Sequence, residues 1–515
     1  MKRTAITACL FLGATLLLQA QVFLQVERAF FPDVELDPAT PALQKKKGFT
    51  KYQELIPFLE ALQAEKPDWI RIEYIGTTQK GRKVPMVVLK KPKSSGKIRV
   101  WFQGGLHGNE PASTEGLLYL LEKIVRDESF ESIFNSVELA LVPVANPDGF
   151  EHQKREAANG LDLNRDQTKF AHPESFYLKK AFSEWDPHFA VDFHEYRPYR
   201  RDFTDFGKSG ATTSTDAYFL LSGNLNVPKP IRNYLYNTLY PSASEHLNDQ
   251  GLRTGIYNTT YRDFGRLYFS LGAASPRSSA TSYALSNCIG LLMEIRGVGL
   301  GKEHFGRRVF SVFSLAKFYL ELAQKDADQI LSILEESAAI TANLEKKIVV
   351  VSTREKEPFD WPNIDLHTQR LGLTRVLARN GLKAKPRITR EKPVAYLLPS
   401  DQAEVVRRLQ ALGIKTEVKS SPQSLEVEQY RLTEVWESPD MWEGIRQLNL
   451  TTQLEQAEVQ FPNGYFYIPV QQEKAALIFE TLEPEAVNSM FRYRVLGSAD
   501  DEVLPLYRYH GKPLN

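Results

Sequence analysis

Residues 98–110 read IRVWFQGGLHGNE. Strand-forming residues run into a pair of glycines, then His107, a third glycine and Glu110, and the apolar helical pattern ASTEGLLYLLEKIV follows from Ala112. A strand, a glycine turn and a helix in that order predict a βα unit. Three further runs have the same character: SVELALVPVA (136–145), PHFAVDFHE (187–195) and GLLMEIRG (290–297). The long connections between them carry helical stretches, so the expected fold class is α/β, with a mostly parallel mixed sheet flanked by helices. Each of the four runs ends in a polar cluster, and open parallel sheets bind ligands beyond the carboxyl ends of their strands.

The remainder of the chain sets the frame around that sheet. With 515 residues it is too long for one ordinary core, and two folded units are expected. The texture changes after about residue 340. From 347 to 515 the sequence alternates with frequent Pro, Gly and charge interruptions, which predicts a smaller β-rich C-terminal domain with one helical insert, SDQAEVVRRLQALGI (400–414). The catalytic unit is expected over 48–340.

A formal net charge of +1 gives no electrostatic case for nucleic acid or an anionic membrane. Residues 1–20, within MKRTAITACLFLGATLLLQAQVF, read as a signal peptide, because the apolar run is short for a span and no stop-transfer flank follows. The protein is therefore expected to be exported, periplasmic or extracellular, with no stable membrane insertion after cleavage. Residues 21–47 read as an N-terminal arm, a lid or a disordered leader. Of the 2 cysteines, Cys9 lies in the leader, so the exported chain keeps only Cys288 and no internal disulfide.

His107 and Glu110, separated by two residues in a glycine-rich turn, can converge on one metal ion. His-x-x-Glu alone is a weak signal. A catalytic zinc site needs a third protein ligand, and His194 in AVDFHEY supplies it at the end of an apolar strand. His188 lies about 20 Å up the same strand and cannot share the ion. Pro198 stands where a thermolysin-like H-E-x-x-H motif would need its second histidine.

The ordered set His107-x-x-Glu110, Asn146-Pro-Asp-Gly, Arg155, Asp162-Leu-Asn164-Arg165, His194 and Glu294 resembles the zinc carboxypeptidase family, the carboxypeptidase A-like metallopeptidases. The resemblance spans roughly residues 48–340. It implies that His107, Glu110 and His194 bind one Zn²⁺ per chain, which lowers the pKa of a bound water. It implies that Glu294 is the general base and Arg155 stabilises the oxyanion. Asn164 and Arg165 would bind the substrate's terminal carboxylate, a task suited to a guanidinium fork. Asp162 would hold a ligand histidine in its tautomer. Asp192 is open to the same role, but a plain strand-end hydrogen bond is slightly favoured. Asn146-Pro147-Asp148-Gly149 reads as a structural turn.

Two departures stand out. Glu195 follows the third ligand, where the family often has a small residue, and brings a second carboxylate toward the substrate channel. The family's mobile tyrosine is not selected among Tyr257, Tyr261, Tyr268 and Tyr283, and Arg277 in SPRSS is a further candidate anion contact.

The favoured reading is an exported zinc metallocarboxypeptidase acting on a peptide or peptide-like substrate next to a free C-terminal carboxylate. An amidase or deacylase on the same fold, acting on acyl amino acids or cell-wall peptides, would share the metal motif and differ in substrate. A non-catalytic peptide-binding relative is disfavoured by the retention of Glu294 and Arg155.

Overall fold

In the computed structural model, which describes residues 22–514, the four marked runs lie side by side. The strands of the first part are β1 (Ile70–Thr77), β2 (Lys83–Leu89), β3 (Ile98–Gln103), β4 (Val137–Val142), β5 (Phe189–Tyr196), β6 (Ala211–Thr213), β7 (Ala217–Leu220), β8 (Thr254–Ile256), β9 (Asn258–Asp263), β10 (Arg266–Leu271) and β11 (Ile289–Arg296). Eight of them form a mixed sheet in the order β1-β2-β4-β3-β5-β11-β7-β8. Its four central strands, β4, β3, β5 and β11, are mutually parallel and are the four predicted runs. Antiparallel β2 and β7 flank them. The central strands are buried almost throughout and accordingly read as apolar runs, not as alternating ones.

Helices α1 (Tyr52–Glu65), α2 (Pro111–Arg126) and α3 (Phe305–Lys325) supply apolar faces to the same core. α2 is the helix predicted after the glycine turn, with Pro111 at its first position, where a missing N–H costs nothing.

The signal-peptide reading of residues 1–20 lies outside the described residues. The arm that follows is an ordered strap. Residues 22–30 are helical, and the Glu27 carboxylate, 2% exposed, accepts from Arg296 Nε at 3.2 Å and from the Tyr199 hydroxyl at 2.7 Å. Farther along, Asp33 accepts the Arg307 N–H at 2.8 Å, and Thr40 and Ala42 donate to the buried Glu115 at 2.6 and 2.7 Å.

The second part contains β12 (Ile348–Thr353), β13 (Lys356–Asp365), β14 (Arg370–Asn380), β15 (Lys385–Arg390), β16 (Ala395–Pro399), β17 (Glu417–Lys419), β18 (Gln423–Glu437), β19 (Leu448–Phe461), β20 (Tyr465–Pro469) and β21 (Val503–Tyr509). Six form an antiparallel sheet, β17-β20-β16-β21-β18-β19. The β13–β14 hairpin pairs elsewhere. It lies within a five-stranded sheet, β6-β13-β14-β10-β9, where Phe269 of β10 faces Ala378 of β14. Trp361 of β13, fully buried, packs against Phe203 and Phe269. The β-rich region expected from 347 is thus sewn into the sheet system of the first part.

The expected helical insert is the helix Ala403–Ala411. A second helix, α4 (Ala475–Leu482), was not predicted. Every one of its residues is buried, so it is largely apolar all round and has no helical period to detect.

α4 carries Glu480, whose Oε1 accepts from the side-chain amides of Asn224 and Asn226 at 2.7 Å each. Burial pushes its carboxyl up to about 7 against those two donors. The unfolded chain releases that proton near 4.5, so the native state binds more protons and loses stability as pH rises from about 4.5 to about 7. Glu480→Gln should therefore match the parent in Tm near pH 4 and exceed it increasingly up to pH 8, a trend that thermal melts across pH will show or deny. Glu27→Ala leaves Arg296, 3% exposed, as a buried unpaired cation and should cost about 3–5 kcal/mol in denaturant unfolding. A loss under 1 kcal/mol would mean that the strap is ornamental.

Candidate metal centre and active site

Parallel pairing puts the carboxyl ends of β4, β3, β5 and β11 at one edge, and the polar clusters meet there. β11 pairs with β5 so that Glu294 stands directly beside His194. The turn after β3 is tied to the chain leaving β4 by Ala145 N–H to Gly104 O and Asn146 N–H to Gly105 O, both 3.0 Å. Gly105 has φ +60°, and a Cβ at Gly108 would come within 1.9 Å of the Gly149 carbonyl carbon. The glycines around His107 therefore serve a left-handed turn and a backbone contact. The predicted 146–149 turn is the start of a short helix, Pro147–His152, capped by Asn146 Oδ1 accepting from Gly149 N–H at 2.9 Å.

Glu110 stands at the N-cap of α2, with His107 three residues earlier. Its Oε1 lies 2.7 Å from His107 Nδ1 and its Oε2 2.8 Å from His194 Nδ1, and the two Nδ1 atoms are 3.0 Å apart. Among the described residues these three form the group whose possible ligand atoms all lie within 4.8 Å of one another. All three are buried. The far nitrogen of each ring meets a carboxylate: His107 Nε2 is 3.0 Å from Asp162 Oδ1, and His194 Nε2 is 2.9 Å from Asp192 Oδ2. A proton held on Nε2 by such a carboxylate leaves the Nδ1 lone pair bare. Two bare lone pairs and a carboxylate facing one another in a buried space repel unless a cation lies among them. The donor set, two imidazole nitrogens and one carboxylate, is that of a catalytic zinc site, and it fits.

The field at the three groups favours a positive charge among them. Burial raises the Glu110 pKa, but the two imidazoles outweigh it and hold the carboxyl far below the usual range. Burial works to lower the His194 pKa, and Asp192 and Glu110 outweigh that and raise it. Asp192, slightly favoured from sequence as a plain strand-end hydrogen bonder, instead faces the ring two residues on, where strand parity places it.

Arg155 fans across the group. Its Nε and Nη2 donate to Asp162 Oδ2 at 3.1 and 2.9 Å, and its Nη1 lies 3.1 Å from His107 Nδ1 and 3.4 Å from Glu110 Oε1. Asp162 thus holds His107 with one oxygen and Arg155 with the other. Asn164 accepts the Ser279 N–H at 2.9 Å through its Oδ1, and Arg165 Nη1 donates to Asn164 O at 2.8 Å. His107, Arg155, Asn164, Arg165 and Glu294 all line one cavity of about 340 Å³. A second lobe of about 270 Å³ shares Arg155, Tyr257 and Glu294 with it. Burial, and after it the Glu110 carboxylate, pushes Glu294 up to about 7.

The residues singled out in the sequence are thereby gathered at one edge of one sheet. The sequence model of the zinc carboxypeptidases matches residues 55–294. Through this segment the chain resembles the zinc carboxypeptidases. The match supports a hydrolase of the metallopeptidase class. Carboxypeptidase 2 of Trichophyton rubrum is 28% identical over 484 residues, 90% of this chain and 87% of the relative. Carboxypeptidase 2 of Trichophyton equinum is 28% identical over 453 residues, 84% of this chain and 81% of the relative. Both likenesses extend beyond the family segment. Among solved structures, carboxypeptidase A of Helicoverpa armigera aligns with a TM-score of 0.42 and 19% identity over 61% of this chain and 82% of that one.

The other predicted features fall as follows. His188 accepts the Arg99 N–H at 3.1 Å at the entry to β5, and burial drives its pKa down to about 4. Glu195 lines the second lobe, near the channel as the sequence reading had it, and its carboxylate is turned to Arg308, 2.6 Å away, and to the Ala112 N–H at 2.9 Å. Of the four tyrosines, Tyr257 lines both lobes beside Glu294, whereas Tyr261 stacks on Tyr268 and Tyr283 on Phe182. No local motif marks Tyr257; its position comes from the strand pairings on either side of it.

Asp192→Asn weakens the acceptor that orients His194 and should lower zinc affinity about 10–100-fold, read by chelator competition on the purified protein. Parent-like affinity would show that the Asp192–His194 pair does not tune the site.

Proposed function

We propose that the protein is an exported zinc metallocarboxypeptidase that removes residues from the free C-terminal end of peptides, with Glu294 as general base. The observation that carries this is the register of β5 and β11, which sets Glu294 beside His194 and within one cavity with Arg155, Asn164 and Arg165.

Zinc held by His107, Glu110 and His194 would supply a Lewis acid and bring the pKa of a water toward neutrality. Glu294 accepts a proton from the attacking water at its carboxylate and returns it to the departing nitrogen. A carboxyl whose pKa burial has lifted toward 7 suits both transfers. Arg155, fixed by Asp162, presents Nη1 toward the metal donors and donates to the oxyanion that develops on the scissile carbonyl. Asn164, whose Oδ1 is already occupied by Ser279, offers its amide donors, and Arg165 adds its fork to the substrate's terminal carboxylate. Tyr257, at the junction of the two lobes, is placed to cover the bound substrate.

Export rests on the leader read from residues 1–20, and nothing in the fold opposes it. Cys288 is buried and free, and among the described residues no helix is long and apolar enough to cross a membrane.

Glu294→Gln should keep zinc and reduce kcat by several orders of magnitude; an unchanged kcat would remove Glu294 from the mechanism. On the parent enzyme, peptides with free C-termini should be trimmed and their C-terminal amides left intact, as followed by mass spectrometry. Equal trimming of both would refute the carboxylate clamp of Asn164 and Arg165.

A further inference from the structure

The cavity shared by Glu294 and Arg165 is more cationic than one substrate carboxylate requires. Four arginines line it: Arg155, Arg165, Arg277 and Arg354. Arg155 is neutralised by Asp162, and Arg165 lies 3.8 Å from the same carboxylate. Arg277 has no carboxylate or hydrogen-bond acceptor among the described residues. Its guanidinium is laid over the Trp442 ring, 4.5 Å from the centroid. The acidic side chains on the cavity wall are Glu294, reserved for catalysis, and Glu480, which takes the amides of Asn224 and Asn226 and holds its proton to about 7.

The wall around Arg277 has further unused donors. Ser275 and Ser278 both line the cavity, and their buried hydroxyls have no hydrogen-bond partner among the described residues. Ser278 is 8% exposed. One residue on, the Ser279 N–H is bonded to Asn164 Oδ1, which ties this loop to the proposed carboxylate clamp. A guanidinium and two hydroxyls left unmatched on one half-buried loop form a receptor for an anion.

The C-terminal region builds the other side of the receptor. Trp442 supplies the shelf for Arg277, and the adjacent Glu443 accepts the Asp162 N–H at 2.8 Å, latching the loop that leads to Asn164 and Arg165. A planar cation stacked on an indole keeps its in-plane N–H groups free to point at a ligand.

Resting on the carboxypeptidase reading above, we propose that Arg277, with Ser275 and Ser278, binds the side-chain carboxylate of the substrate's last residue, so that the enzyme prefers peptides ending in glutamate or aspartate. Arg165 then takes the terminal carboxylate and Arg277 the second one. An apolar or basic last residue leaves Arg277 desolvated and unpaired, and that differential creates the preference. Trp442 acts as a positioning residue, since it touches Arg277 and not the reacting atoms.

The test compares kcat/KM on blocked peptides that differ only in the last residue: Glu, its isostere Gln, and Lys. The parent should favour Glu over Gln by at least about tenfold and Lys least, as expected when a built polar receptor meets a ligand lacking its charge. A Glu/Gln ratio within about twofold, or a preference for Lys, overturns the proposal while leaving the carboxypeptidase reading intact. Arg277→Gln should bring the ratio near one, Arg277→Lys should restore part of it, and Trp442→Ala should raise KM for the Glu peptide more than it lowers kcat. If Arg277→Gln instead weakens the Glu and Gln peptides equally, Arg277 grips the terminal carboxylate and the specificity role fails. If no free-terminus peptide turns over while N-acyl amino acids do, the carboxypeptidase reading itself fails, a result distinct from every other.

Discussion

The site depends on two carboxylates that are not themselves metal ligands. Asp162 and Asp192 each take the outer nitrogen of one imidazole, and together they turn the inner nitrogens of His107 and His194 toward one point with Glu110. The two are supported differently. Asp192 shares a strand with His194, so backbone geometry alone aims it. Asp162 comes from an irregular loop and is held through its own N–H by Glu443 and through its second oxygen by Arg155. One half of the candidate metal centre is thereby intrinsic to the sheet, and the other half is borrowed from more distant parts of the chain.

Much of this was legible before any coordinates, and the reason is geometric. The four central strands carry their functional residues at their own carboxyl ends, so a short window holds both the strand signal and the chemistry, as in IRVWFQGGLHGNE and AVDFHEY. Pairing in parallel then brings the windows together without further instruction. Asp192 was within reach on the same basis, because residues two apart on a strand share a face.

What escaped sequence reading has its cause elsewhere in the chain. The ordering of residues 22–47 depends on Arg296, Arg307 and Glu115, none of which advertises a partner. The commitment of Glu195 depends on Arg308, and the placement of Tyr257 on the pairings of the strands around it. α4 hid because complete burial erases periodicity. The boundary near residue 347 was read from a change in texture, and the change is real. Texture reports strand content, however, and not which sheet a strand joins; the β13–β14 hairpin joins strands laid down before the boundary.

The strap formed by the N-terminal helix has a temporal consequence. Glu27 and Arg296 are 269 positions apart, and Arg296 closes the last strand of the main sheet. Ring closures of that span come late and slowly, because the chain must first surrender the entropy of everything between them. A stretch early in the chain is thus among the last to dock. A polypeptide assembled in that order keeps the Glu27 segment undocked until its main sheet is complete.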